Sequence, residues 1–137
     1  MASRPSLISK LALDRDVLAN SNGTGTFSRF LGHYVRERKL MSLSEGLARI
    51  TLYPAQWLER GVPQFARKGR VQVGADADLV IFSARDIQDA ATYGDPYLPP
   101  KGISQVIVGG RIVADGARVV EGRYPGQRLL GQGRKVD

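Results

Sequence analysis

The chain has no cysteine, which excludes a disulfide framework, a thiolate metal site and a thiol nucleophile in one step. It has one histidine, His33. Imidazole is the commonest metal ligand and the commonest general base near neutral pH. A chain with a single copy builds neither a multi-histidine metal centre nor an extended acid–base relay of its own. No apolar run approaches the ~20 residues that cross a bilayer, and Met1-Ala2-Ser3-Arg4-Pro5 does not open into the apolar core of a signal peptide. The expectation is a soluble, cytoplasmic chain without a membrane partner.

What is present suits one compact domain. The 137 residues are 42% hydrophobic, and a chain of this length buries roughly two-thirds of its unfolded surface. Branched and aromatic residues are too plentiful for disorder throughout. Lys+Arg 20 against Asp+Glu 13 leaves a net charge of +7. The basic residues are scattered through every part of the chain, and only Arg36-Glu37-Arg38-Lys39 and Arg67-Lys68-Gly69-Arg70 cluster. No aromatic platform is interleaved with them, so they read as a solvated surface rather than a nucleic-acid interface.

Along the chain the pattern is helical first. Leu7, Ile8, Leu11 and Leu13 have an approximate helical spacing. Ser21-Asn22-Gly23-Thr24-Gly25-Thr26 is a loop by composition, with Thr26 as N-cap of the helix that follows. Phe27, Phe30, Leu31, Tyr34 and Val35 form its apolar stripe, and Arg29, Arg36 and Arg38 take the wet side. Ser42-Leu43-Ser44-Glu45 has the spacing of a capping box before Leu43, Leu47 and Ile50. Pro54 opens a third short helix that Gly61 stops.

After Gly61 the period becomes extended. Val71 and Val73 alternate with polar neighbours, and Gly74-Ala75-Asp76-Ala77-Asp78 turns the chain. Leu79-Val80-Ile81-Phe82, apolar without alternation, reads as a strand covered on both faces. Tyr93 to Lys101, rich in proline, is an irregular crossover. Ile103–Val108 and Arg111–Val113 flank Gly109-Gly110 at hairpin spacing, and Asp115-Gly116 turns into Arg118-Val119-Val120. Helices followed by about four short strands predict an α+β fold. The expected organisation is a helical segment over 1–62, a β-rich segment over 63–130 and a frayed tail over 131–137.

Three local motifs carry little chemistry. Gly23-Thr24-Gly25 lacks the third glycine and the lysine of the phosphate-binding loops. Asp76 and Asp78 are spaced like the opening of a calcium loop whose remainder is absent, so pairing with arginine or capping of backbone N–H groups is expected. His33 sits one residue off the apolar stripe without partners for a ligand set.

One stretch is more specific. Lys68-Gly69-Arg70-Val71-Gln72-Val73-Gly74-Ala75-Asp76-Ala77-Asp78-Leu79-Val80-Ile81-Phe82 resembles the C-terminal signature of the metal-dependent amidohydrolases. Val106–Val113 resembles the hairpin that follows that signature, and Thr51-Leu52-Tyr53-Pro54-Ala55 the helix that precedes it. Gly25-Thr26-Phe27-Ser28-Arg29-Phe30-Leu31-Gly32-His33-Tyr34-Val35-Arg36-Glu37 is similar to a segment of the N-acyl-D-amino-acid deacylase branch. Asp89–Tyr93, Pro100–Ile103 and Gly122–Gly126 extend the likeness across about Ser21 to Leu130.

The resemblance implies a (β/α)₈ barrel carrying a zinc-type divalent metal site, with a small sandwich assembled from both chain ends. This chain would supply the last barrel helix region and the C-terminal half of the sandwich. It would hold no metal ligand and no catalytic residue: Asp14 and Asp16 lie in the wrong surroundings, and His33 stands where the branch often has arginine. The residues implied to lie near substrate are Ser21, Asn22, Gly23 and Thr24. The expected role is therefore a scaffold fragment or subunit for hydrolysis of N-acyl amide bonds. The alternative is a non-enzymatic module that pairs with a separately encoded barrel or with itself.

Overall fold

A computed structural model describes residues 21–131. The helical spacing of Leu7 to Leu13, the pair Asp14 and Asp16, and the tail beyond Gly131 lie outside the described residues.

Four helical pieces precede a sheet. Helix α1 (Ser21–Arg29) runs without a break into a π-wound segment, Phe30–Glu37. Helix α2 spans Leu43–Ile50 and α3 Leu52–Leu58, and a 3₁₀ turn covers Pro63–Arg67. Strands β1 (Leu79–Phe82), β2 (Ile103–Val108), β3 (Arg111–Asp115) and β4 (Arg118–Val119) form one antiparallel sheet in the order β1-β2-β3-β4. The α+β class is as the sequence predicts.

The loop expected over Ser21 to Thr26 is helical, and Thr26 lies inside α1 rather than capping it. Gly25 and, in the π-wound segment, Gly32 serve packing. A β-carbon on Gly25 would collide with the Asp89 carboxylate, and one on Gly32 would sit 2.5 Å from the Ile87 carbonyl oxygen. Both glycines are buried, so the helix can lie directly against the segment around Ile87–Asp89. The gain from that close approach outweighs glycine's weak helix propensity of about 1 kcal/mol per residue.

The wider winding also resets the inner face. Arg38 N–H donates to the His33 carbonyl at 2.9 Å, the i→i+5 closure of a π turn. Leu31 and Val35 are buried, whereas Phe27 and Tyr34, expected on the stripe, are exposed. Arg36, expected in water, folds inward and donates from Nη1 to the Ile87 carbonyl at 2.6 Å. That bond ties the helix to a loop 51 positions away, a contact that no local pattern encodes.

Ser42 caps α2, its hydroxyl accepting from the Glu45 N–H at 3.1 Å. The return half of the capping box is replaced: the Glu45 carboxylate accepts from Arg49 Nε at 2.8 Å and from the Tyr53 hydroxyl at 3.0 Å. Pro54 lies in the first turn of α3, where its missing N–H costs nothing. The core is small. Leu31, Val35 and Ile87 (3% exposed) form it, with Phe30, Met41, Leu47, Ile50, Phe82 and Ile103 packed around them.

The Gly109-Gly110 hairpin is present, with φ of 54° and 74°, the positive values that its two-residue turn requires. Two expectations fail. Val71 and Val73 belong to no strand and stand exposed. β1 is an edge strand rather than a covered one: Val80 is 53% and Ile81 48% exposed. Hydrophobic runs declare what they need covered, and nothing among the described residues covers these.

Candidate functional site

The signature stretch folds on itself around one ammonium group. Asp76 N–H donates to the Arg67 carbonyl at 3.0 Å, and Asp78 N–H to the Asp76 carbonyl at 2.9 Å. This tight path turns both carboxylates toward Lys68. Lys68 Nζ pairs with Asp76 Oδ2 at 3.0 Å and bonds Asp78 Oδ2. The other Asp78 oxygen accepts the Gly109 N–H at 2.8 Å, and Gly110 N–H donates to the Ala77 carbonyl at 3.0 Å. One carboxylate thus joins the turn before β1 to the hairpin between β2 and β3.

The electrostatics agree with this geometry. Asp78 is held below the ordinary carboxylate range, first by the hydrogen bond from Lys68 and then by the Gly109 N–H. Lys68 is raised above the ordinary amine value, chiefly by Asp78, while partial burial opposes the shift. Charged hydrogen bonds of this kind are stronger than neutral ones. Arg67 Nε lies 3.5 Å from the other Asp76 oxygen, and the knot fixes the sheet's hairpin to the chain entering β1.

An open cleft of about 920 Å³ runs past the knot, with Gln64, Arg67, Arg111 and Arg128 among its lining residues. A second groove of about 590 Å³ lies between the helix and the crossover, lined by Thr26, Arg29, Phe30, Tyr34, Asp89 and Tyr93 among others. Ser21, Asn22, Gly23 and Thr24 form the start of α1 and are not a loop. The sequence reading missed Asp89 and Tyr93, which only the folded crossover brings beside α1.

Among the described residues no three His, Cys, Asp or Glu side chains converge in a group that would hold a metal. His33 Nδ1 lies 3.0 Å from Glu37 Oε2 on the helix surface, and this bond, with Arg36, lowers the Glu37 carboxyl. Asp76 and Asp78 already share Lys68, so a cation there would have to displace an ammonium. These residues do not fit a catalytic metal centre. No helix among them is long and apolar enough to cross a membrane.

A helical layer and a small antiparallel sheet, with a lysine–aspartate knot between them, define an α+β piece. The amidohydrolase family model matches residues 16–114. The chain belongs to the amidohydrolase family. It is 43% identical over 86 residues to an N-acyl-D-glutamate deacylase of Alcaligenes xylosoxydans xylosoxydans, covering 63% of this chain and 17% of that protein. An N-acyl-D-aspartate deacylase of the same organism is 38% identical over 106 residues, 77% of this chain and 20% of that one. Among solved structures, the N-acyl-D-glutamate deacylase of Bordetella bronchiseptica, complexed with zinc and a phosphonate mimic of the tetrahedral intermediate, superposes with a TM-score of 0.65 at 41% identity. A D-aminoacylase with a binuclear metal centre superposes with a TM-score of 0.69 at 34% identity. Each superposition covers 77% of this chain and 21% of the other. The chain therefore spans about a fifth of the length of the relatives it matches.

Proposed function

We propose that this chain is the structural, C-terminal portion of a hydrolase acting on N-acyl-D-amino acids. In this reading, cleavage of the N-acyl amide bond belongs to the complete architecture. The metal, zinc in the glutamate deacylase above, and the groups that activate water belong to polypeptide equivalent to the rest of the relatives. The observation that carries the reading is the knot. The residues of the family-like signature, Lys68, Asp76 and Asp78, pair with one another, with Arg67 and with the β2–β3 hairpin, which supports a structural use of their charge. Ser21, Asn22, Gly23 and Thr24, at the start of α1, are the proposed neighbours of substrate in the complete enzyme.

The test is turnover. The purified chain with added zinc is expected to release no acid from N-acyl-D-glutamate. The same chain mixed with polypeptide equivalent to the remainder of the glutamate deacylase is expected to do so. Turnover by the chain alone would overturn the scaffold role.

A second reading is a non-enzymatic association module, pairing with a separately encoded barrel or with itself. The exposed Val71, Val73, Val80 and Ile81 favour it. Light scattering separates the cases, since a stable monomer that ignores any added partner would count against an association role.

A further inference from the structure

We propose that the open cleft beside the knot binds a small phosphomonoester carrying hydroxyl groups, a sugar phosphate in chemical class. The site lies apart from the amide-bond chemistry proposed above, and it stands whether or not the scaffold reading does.

Three observations carry it. The first is charge. Arg67, Lys68, Asp76, Asp78, Arg111 and Arg128 all line the cleft, which has a volume of about 920 Å³. Within the knot, Lys68 and Arg67 face Asp76 and Asp78, so those four charges cancel. Arg111 and Arg128 have no carboxylate partner among the described residues and leave the cleft with two uncompensated positive charges. A phosphomonoester carries about −1.5 to −2 at neutral pH, which matches that excess. The planar fork of an arginine also meets phosphate oxygens two at a time, which a lysine cannot do.

The second is Gln64. It lines the same cleft, and its Oε1 is buried with no hydrogen-bond partner among the described residues. A buried acceptor without a donor is costly, and a hydroxyl entering the cleft relieves it. The side chain is only half-buried, so rotation about its terminal torsion is enough to turn Oε1 toward an incoming donor. An orphaned acceptor in the wall of a basic cleft calls for a ligand with both an anionic group and an O–H. A bare dianion such as sulfate brings only the first.

The third is the lining. No aromatic side chain among the described residues lines the cleft, and Ala75, Ala77, Gly109 and Gly126 give it short walls. A nucleobase would find no ring to stack on, which argues against a nucleotide or a single-stranded nucleic acid. Gln127, beside Arg128, adds an amide suited to further hydroxyl groups.

The walls come from parts of the chain distant in sequence. Gln64 and Arg67 belong to the 3₁₀ turn, Arg111 opens β3, and Arg128 follows the sheet. Lys68 holds Asp78, and Asp78 holds the Gly109 N–H, so the turn and the start of β3 are fixed to each other before a ligand arrives. A site set in advance loses little further freedom on binding.

Calorimetric titration of the full chain with glucose 6-phosphate at low salt tests the site, with glucose and sulfate as probes that each carry one of its two features. Glucose 6-phosphate is expected to bind one to one, about tenfold or more tighter than either probe. Arg111→Gln and Arg128→Gln, both at exposed positions, are each expected to weaken it about tenfold. Gln64→Leu is expected to weaken glucose 6-phosphate about fivefold and leave sulfate unchanged. The same variant should not lower the thermal midpoint of the free chain, because it removes an unpaired acceptor. Absence of binding, or binding indifferent to both arginine variants, would overturn the site. Sulfate binding as tightly as glucose 6-phosphate would reduce the cleft to a general anion patch and overturn the assignment. Tighter binding of a single-stranded oligonucleotide would overturn it in favour of nucleic acid. None of these outcomes bears on the turnover test of the scaffold reading.

Discussion

Gly25 lies so close beneath Asp89 that a single added methyl would overlap the carboxylate, which itself accepts the Ala91 N–H at 2.9 Å. The Asp89–Ala91 turn is thereby seated on one turn of helix. Seven residues on, Gly32 repeats the arrangement against the Ile87 carbonyl. These two glycines are contact points between the helical layer and the rest of the fold.

Substituting either glycine by alanine adds helix propensity and loses packing. Overpacking costs about 1–3 kcal/mol, and the propensity gain of about 1 kcal/mol offsets part of it. Gly32→Ala is expected to be the more damaging, because it meets backbone at 2.5 Å, whereas the Asp89 side chain can swing aside. Urea denaturation of both variants checks the order.

Ile87 is the most buried of the core residues, at 3% exposure, and it lies on a loop. Ile87→Ala is expected to cost about 2–5 kcal/mol, as for other large-to-small core changes. Val73→Ala, on the open surface, should stay within about 0.5 kcal/mol. Thermal unfolding followed by circular dichroism distinguishes the two.

The knot sets a pH dependence. Asp78 has a folded pKa below its unfolded value, so its contribution is complete above the unfolded value of ~3.9 and is lost as pH falls through the folded one. Lys68 is raised, so its contribution is complete below the unfolded value of ~10.4 and is lost as pH rises through the folded one. Asp78→Asn should therefore lower stability at neutral pH and flatten the acid limb of the stability profile. Denaturation midpoints from pH 2 to 7 report it; an unchanged acid limb would contradict this assignment.

Ser42→Ala removes the acceptor of the Glu45 N–H and should destabilise by about 1 kcal/mol. Ser42→Asp should restore most of the loss, since a carboxylate caps the same N–H and suits the helix dipole. Chemical denaturation of the pair checks both directions.

Local chemistry was most legible where neighbours in sequence are neighbours in space. Ser42 three residues before Glu45, the Gly109-Gly110 turn and the hairpin strands around it need nothing from the rest of the chain. The glycine turn around Asp76 and Asp78 indicates pairing with arginine or capping of backbone N–H groups, whereas the partner both share is Lys68. That Lys68 holds both depends on the turn between them closing.

The alternation of apolar and polar residues, the caps and the tight turns determined the order of elements, because each is an energetic preference of a few adjacent residues. Only the tertiary structure decided that Ser21–Thr26 is helix, that Arg36 turns inward to Ile87, and that β1 stands at an open edge. Composition argued for a loop in the first case, yet close packing of Gly25 and Gly32 against the Ile87–Asp89 segment overrode it. In the last case the apolar run states correctly that Leu79–Phe82 should be covered. Which polypeptide does the covering is a property of the surface opposite, and the sequence of a strand carries no information about that.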